Sequence, residues 1–454
     1  MSRELNSILE AIGRTPLVKL NKLTDNISSD LYVKVEYLNP GGSVKDRIGA
    51  NMIAAAEKDG RLKPGGTIVE ATAGNTGVGL ALVAAIKGYK AIFVMPDKMS
   101  EDKVNLLKSY GAEVIITRTD VPPDSPESYN GVADRLAREI PGAFRPNQFE
   151  NQNNSAAHYD TTGPEIWEDS GGKIEVFVAG MGTGGTISGV GKYLKEKNPH
   201  IIIIGADPEG SILSGDTPRP FKVEGIGEDF IPKTFDRQVV DEMVRVSDKD
   251  SFNTARRLAH EEGLLVGGSS GTAVAAALRY AQRLDQPKYI VALLPDTGRN
   301  YLSKLYSDVW MRESGFLDEA PVSEATVKDI MSRKRGFAYV IFVQPGDNVA
   351  AAIRLMREND ISQVPVIENE TIVGCITETS VLQTIEAGVD LDEQRVVDVM
   401  GKPLPALDER VGAAEVYRLF KSGAPALVIT SSGVPEGVLT RWDLIDSWAT
   451  EQEV

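Results

Sequence analysis

The chain has 454 residues, 42% hydrophobic and 25% charged, which calls for two or three domains, each with its own core, and contains no apolar run of the roughly 20 residues that cross a bilayer. A formal net charge of −16 disfavours long contacts with a phosphate backbone, one cysteine (Cys375) excludes an internal disulfide framework, and three histidines (His158, His200, His260) leave little for a metal or haem site. Residues 1–10 lack the apolar stretch of a secretory signal, so a soluble, cytoplasmic protein is expected, with no metal, no nucleic-acid partner and no membrane partner.

From Thr15 to Tyr301 short Val/Ile/Phe runs alternate with helical patterns, the signature of an α/β fold with a largely parallel sheet. The spacing predicts strands over 31–37, 67–70, 91–95, 113–117, 176–179, 201–205 and 289–294. Their lack of polar alternation predicts helices on both faces. A helix is predicted over 43–59, with Ser43 as its cap and Gly60 at its end. Beyond Trp310 an acidic, proline-containing stretch leads into a tandem repeat. Val-Lys-Asp-Ile-Met at 327–331 returns as Val-Val-Asp-Val-Met at 396–400, and 364–377 has its counterpart in 425–440. A helix and a strand pair in each copy suggest two small units packed pseudo-symmetrically. The domains read from this pattern are 1–316, a linker at 317–325, and repeats at 326–385 and 396–450.

Four segments carry chemistry. Residues 39–47 (Asn-Pro-Gly-Gly-Ser-Val-Lys-Asp-Arg) end a Gly-rich turn with Lys45 in the first turn of a helix. There the helix dipole opposes the ammonium charge and favours a neutral amine able to form a Schiff base; an ordinary surface lysine is the alternative. Residues 72–77 (Thr-Ala-Gly-Asn-Thr-Gly) join a strand to a helix, so backbone N–H groups meet an anion and the Asn75 amide can donate to a phenolate oxygen, unless this is a plain tight turn. In residues 180–186 (Gly-Met-Gly-Thr-Gly-Gly-Thr) glycines let backbone amides close around a phosphate. The rival here is a dinucleotide fingerprint, which would need an acidic residue at the end of the next strand; Asp207 stands after that strand in the predicted register. Residues 267–271 (Gly-Gly-Ser-Ser-Gly) open a helix that Ser269 or Ser270 could cap, or Ser269 could meet a pyridine nitrogen and leave it unprotonated.

Together, in this order, the four segments resemble the fold-type-II pyridoxal phosphate enzymes, specifically the cysteine synthase/cystathionine β-synthase family, over residues 8–317. Residues 207–212 (Asp-Pro-Glu-Gly-Ser-Ile) and 224–232 (Glu-Gly-Ile-Gly-Glu-Asp-Phe-Ile-Pro) lean toward the latter branch. The resemblance implies two doubly wound α/β subdomains and pyridoxal 5′-phosphate on Lys45. It implies Asn75 at the ring oxygen, Gly182, Thr183, Gly184, Gly185 and Thr186 around the phosphate, and Ser269 at the ring nitrogen. Thr72, Ala73, Gly74, Thr76 and Gln148 would bind the substrate carboxylate. The implied reaction is β-replacement on serine or O-acetylserine with homocysteine to give cystathionine, with cysteine synthase as the alternative and hydrogen sulfide production as a side activity. Two departures bear on the first substrate. Ala73 stands where many relatives have serine, and Glu228 where animal members have tyrosine, which makes Glu228 a candidate acid. No haem is expected, because the haem-binding Cys/His segment of animal members has no counterpart here. A homodimer or higher homo-oligomer is expected.

The repeated region resembles a pair of CBS domains, modules that bind adenosine-containing ligands. Residues 437–443 of the second copy (Gly-Val-Leu-Thr-Arg-Trp-Asp) imply ribose contacts from Thr440 and Asp443, and the first copy lacks the aspartate. One adenosyl site at most is implied, or a purely structural assembly module.

Overall fold

The computed structural model describes residues 4–72, 74–97, 99, 101–118, 120–122, 125–317, 326–334 and 339–452. The chain divides into two compact units, Met1–Asp318 and Glu319–Val454.

The first unit holds ten strands: β1 (Leu17–Lys19), β2 (Asp30–Val35), β3 (Thr67–Ala71), β4 (Lys90–Pro96), β5 (Glu113–Thr117), β6 (Ala143–Phe144), β7 (Val176–Gly180), β8 (Ile202–Pro208), β9 (Glu242–Val246) and β10 (Tyr289–Leu294). They form a six-stranded sheet in the order β1-β2-β10-β7-β8-β9 and a four-stranded sheet in the order β5-β4-β3-β6. All pairings are parallel except β1 with β2. Successive residues of one strand enter different cores. Val176 and Val178 join one cluster while Phe177 and Ala179 join another, and in the smaller sheet Phe93 and Met95 separate from Val94 in the same way. The central strands of both sheets are therefore buried on both faces, the double winding that the unbroken apolar runs predict.

Several local expectations need correction. Ser43 does not cap the first helix, which runs Lys45–Lys58 with Val44 at its cap position. The Ser43 hydroxyl instead accepts from the Lys45 N–H at 3.2 Å. Asp207 lies inside β8, not after it, so an acidic residue does end the second strand. Its side chain is fully buried, though, and Oδ2 accepts from the Ser214 N–H at 2.9 Å, which leaves it unsuited to a ribose. Three strands escaped the pattern: β1 and β6 are only three and two residues long, and β9 alternates Glu and Arg with apolar residues because it is an edge.

In the second unit β11 (Gln363–Glu368) pairs with β12 (Thr371–Thr377), and β13 (Ala406–Asp408) and β14 (Ala426–Ser431) pair with each other and β14 with β15 (Val434–Thr440). Two-residue turns with positive φ close both hairpins, Asn369-Glu370 and Ser432-Gly433. The repeated Val-x-Asp segments cross over. Val327 and Ile330 pack with Val416, Leu427 and Leu439 of the second copy, whereas Val396 packs with Val343, Ala352 and Ile376 of the first. No helix among the described residues is long and apolar enough to cross a membrane.

Candidate active site

Parallel strands deliver their following loops to one edge, and three of the motifs follow β2, β3 and β7, whereas the fourth follows helix Asp248–Glu262. Lys45 is the first residue of helix Lys45–Lys58. Its loop is pinned: Gly41 N–H donates to Asp46 Oδ2 at 2.5 Å, and Val44 N–H donates to the Pro295 carbonyl at 2.8 Å. Beneath it Arg47 forks onto Glu36 and Glu165, each at 2.7 Å. Lys45 keeps part of its surface accessible. Burial nevertheless lowers its amine to about 8, with the Glu228 and Asp296 carboxylates acting in the opposite direction. Desolvation thus favours the neutral amine. Among the described residues Lys45 Nζ has no hydrogen bond or ion pair.

Helix Asn75–Lys87 follows β3. Thr76 Oγ1 donates to Gln148 Oε1 at 2.6 Å, bringing the predicted substrate residues together across 72 positions of sequence. Gly74 N–H reaches Thr72 Oγ1 at 3.4 Å. Ala73 lies outside the described residues.

Helix Gly185–Lys197 opens from Gly184, whose φ of +77° only glycine adopts without strain. A Cβ on Gly185 would stand 2.0 Å from Asn154 Oδ1. Asn154 Nδ2 donates to Thr183 Oγ1 at 3.1 Å, and His158 Nε2 lies 3.2 Å from Thr186 Oγ1. Burial, then the Arg47 charge, push His158 well below its usual range, so the ring is neutral. Helix Gly268–Ala281 has Gly267 at its cap position and no side-chain cap, so neither Ser269 nor Ser270 caps it. Both serines are buried, and Ser270 Oγ has no partner.

The four motif helices share one deficiency: none has a side-chain cap. Serines cap the helices Tyr129–Glu139, Asp248–Glu262 and Asp308–Glu313. Helices Asn75–Lys87 and Gly268–Ala281 leave their first N–H groups without a side-chain cap, and these, the glycine cradle at 184–185 and the unpartnered buried Ser270 Oγ suit a phosphorylated, ring-bearing cofactor.

Sequence reasoning missed Asp296, which follows β10 and is 2% exposed. Its Oδ2 accepts from Asn75 Nδ2 at 2.8 Å and from the Tyr301 hydroxyl at 2.7 Å. The available signal was its position just past the carboxyl end of a parallel strand. Glu228 is raised to about 7 by burial and then by Asp229, with Lys45 pulling it down and Asp207 pushing it up. It therefore lies within electrostatic reach of Lys45.

In the second unit Asp443 Oδ2 accepts from Thr440 N–H and Oγ1, both at 2.7 Å, and pairs with Lys334 at 3.2 Å. Thr377 and Ser380 form the matching cap in the first repeat. Helix capping accounts for the position of Asp443, and its second oxygen is in none of these contacts.

Residues 8–296 match the pyridoxal-phosphate dependent enzyme family, and residues 327–387 and 396–449 match the CBS domain. Fold and site thus define a pyridoxal-phosphate dependent enzyme whose cofactor is pyridoxal phosphate. The chain is 41% identical to the cystathionine beta-synthase of Dictyostelium discoideum over 97% of this chain and 92% of that one. It is 45% identical to that of Oryctolagus cuniculus, over 88% and 74% respectively. A solved structure titled O-acetylserine dependent cystathionine beta-synthase, from Helicobacter pylori, matches with a TM-score of 0.63 and 44% identity, over 67% of this chain and 99% of that one. The chain belongs to the cystathionine beta-synthase family.

Proposed function

We propose that the chain condenses L-serine with L-homocysteine by β-replacement, releasing water and forming L-cystathionine. The observation that carries this reading is Lys45. Its amine, lowered to about 8 by burial, stands at the start of the first of the four motif helices.

Lys45 would hold the cofactor, with N–H groups and hydroxyls of Gly182, Thr183, Gly184, Gly185 and Thr186 on its phosphate, Asn75 on its ring oxygen and Ser269 on its ring nitrogen. Bound pyridoxal phosphate draws electrons from the substrate α carbon, so the α proton becomes acidic and the β substituent can leave. Thr72, Ala73, Gly74, Thr76 and Gln148 orient the substrate carboxylate. Lys45 Nζ would take the substrate α proton and return it after the thiol has added. The Ser269 hydroxyl leaves the ring nitrogen unprotonated, which favours replacement at the β carbon over transamination. Glu228, half protonated near neutral pH, gives its proton to the departing hydroxyl. The resulting carboxylate accepts the proton of the incoming thiol, which closes the cycle.

O-acetylserine is the second reading, favoured by the Helicobacter pylori relative's title. Acetate leaves without a donated proton, so with it Glu228 would serve only to accept the proton of the incoming thiol. Sulfide in place of homocysteine would make the chain a cysteine synthase, and hydrogen sulfide release is the matching side reaction. In the second unit Thr440 and Asp443 would read the ribose of one adenosyl ligand. Exposed apolar side chains such as Leu302 and Val309 support a homo-oligomer. The lone, buried Cys375 fits a reducing, cytoplasmic setting. The test is a substrate panel of serine or O-acetylserine with homocysteine or sulfide, products identified by mass. Cystathionine from serine supports the reading, and cysteine alone overturns it.

A further inference from the structure

Three of the four cofactor motifs converge on a residue outside all of them. Asp296 forms an isolated β-bridge with Ser43, its carbonyl accepts the Gly267 N–H at 3.1 Å, and its carboxylate receives the Asn75 amide at 2.8 Å. Asn75 comes from the four-stranded subdomain, and Asp296 follows β10 of the six-stranded one. Space is reserved for it: a Cβ on Gly267 would stand 2.1 Å from Asp296 Oδ1.

We propose that Asp296 is a positioning residue that fixes the Asn75 amide so that its NH2 group, and not its oxygen, is presented to the cofactor. The inference rests on the reading of Asn75 as the contact of the ring oxygen. An ionised carboxylate only accepts hydrogen bonds, so the end of the amide that faces it must be Nδ2. One N–H of that group is spent on Asp296, and the other is left to donate into the site. A phenolate oxygen needs such a donor, and an Asn75 turned the other way would face it with a second acceptor. The Tyr301 hydroxyl, donating to the same Oδ2 at 2.7 Å, holds the carboxylate in place. Burial raises Asp296 only to about 6, so it is ionised at pH 8.

The test reconstitutes the apo-protein with pyridoxal phosphate at pH 8 and reads two quantities: the position of the Lys45-dependent absorbance band and the cofactor dissociation constant. Asn75→Ala should displace the band and weaken retention about tenfold, the loss of one hydrogen bond to a charged group. Asp296→Asn keeps the shape but can turn either amide end toward Asn75, so it should displace the band in the same direction. The double variant should go no further than Asn75→Ala alone. Wild-type values in either single variant, or displacements that add, overturn the inference. Should Asp296→Asn fail to fold, Tyr301→Phe loosens the carboxylate from its far side. A shift of the same sign then supports the inference, and an unchanged band overturns it. A wild-type protein with no Lys45-dependent band would sink the proposed function itself; a normal wild-type band beside an unaffected Asp296→Asn sinks only this inference.

Discussion

Replacing Glu228 by glutamine separates the two candidate first substrates. Burial, reinforced by Asp229 and Asp207 and opposed by Lys45, raises this carboxyl from 4.5 to about 7. At pH 7 it is then about half protonated, against roughly one molecule in 300 for a carboxyl at the ordinary value, so the acid is present some ~150 times more often. Hydroxide is a poor leaving group and needs that proton, whereas acetate does not. Because the acid form is lost as pH rises through 7, the efficiency with serine should fall above that pH, while O-acetylserine shows no such limb. Glu228→Gln preserves size and cannot donate a proton. Its kcat/KM with serine and homocysteine should drop on the order of 100-fold or more, and that with O-acetylserine should change by less than about threefold. Initial-rate profiles from pH 6 to 9 with both substrates, cystathionine being quantified, make the comparison. Equal losses with both substrates, or a serine profile without a falling limb near pH 7, would refute the assignment of Glu228 as the acid.

Lys45, lowered to about 8, should make the rate of cofactor loading onto apo-protein rise with pH and level off just above that value; a rate still climbing near 10, followed by stopped-flow absorbance, would mean an ordinary lysine. Ser269→Asp should protonate the ring nitrogen and cut β-replacement far more than cofactor affinity, measured by kcat beside equilibrium dialysis, and unchanged turnover would reduce Ser269 to a packing role. Calorimetry with S-adenosylmethionine, ATP and AMP should give about one equivalent per chain, weakened in Asp443→Ala. That variant also removes a helix cap and should cost the second unit about 1 kcal/mol in thermal unfolding. No heat from any of the three ligands would favour a purely structural pair of repeats.

The strands were legible because both faces are covered. Val176 to Ala179 can be apolar at every position only if alternate residues enter different cores, as they do. The glycine motifs were legible for a local reason too: Gly184 must adopt a left-handed backbone, and Gly185 lies against Asn154. What depended on distant partners was hidden. Nothing within Leu-Pro-Asp-Thr-Gly distinguishes Asp296 from a turn residue, since its meaning comes from Asn75, 221 positions away. The raised Glu228 carboxyl arises from burial and from Asp229 and Asp207 around it, which no spacing encodes. Ser43 read as a cap because serine before a helix usually is one, but the loop places it two residues ahead of Lys45, with its side chain on the Lys45 amide. The crossing of Val327 and Val396 into each other's repeat was equally invisible, because the two segments are near-copies and neither carries a residue that names its core.

The central claim is that Lys45 drives β-replacement between serine and homocysteine. The direct measurement incubates wild-type protein and Lys45→Ala, each loaded with pyridoxal phosphate, with isotopically labelled serine and homocysteine, and follows product by mass. Wild type should yield cystathionine carrying the serine carbons, and Lys45→Ala should lose the absorbance band and at least about 1,000-fold of the rate. Near-normal cystathionine formation by Lys45→Ala, or no labelled cystathionine from wild type, would contradict it.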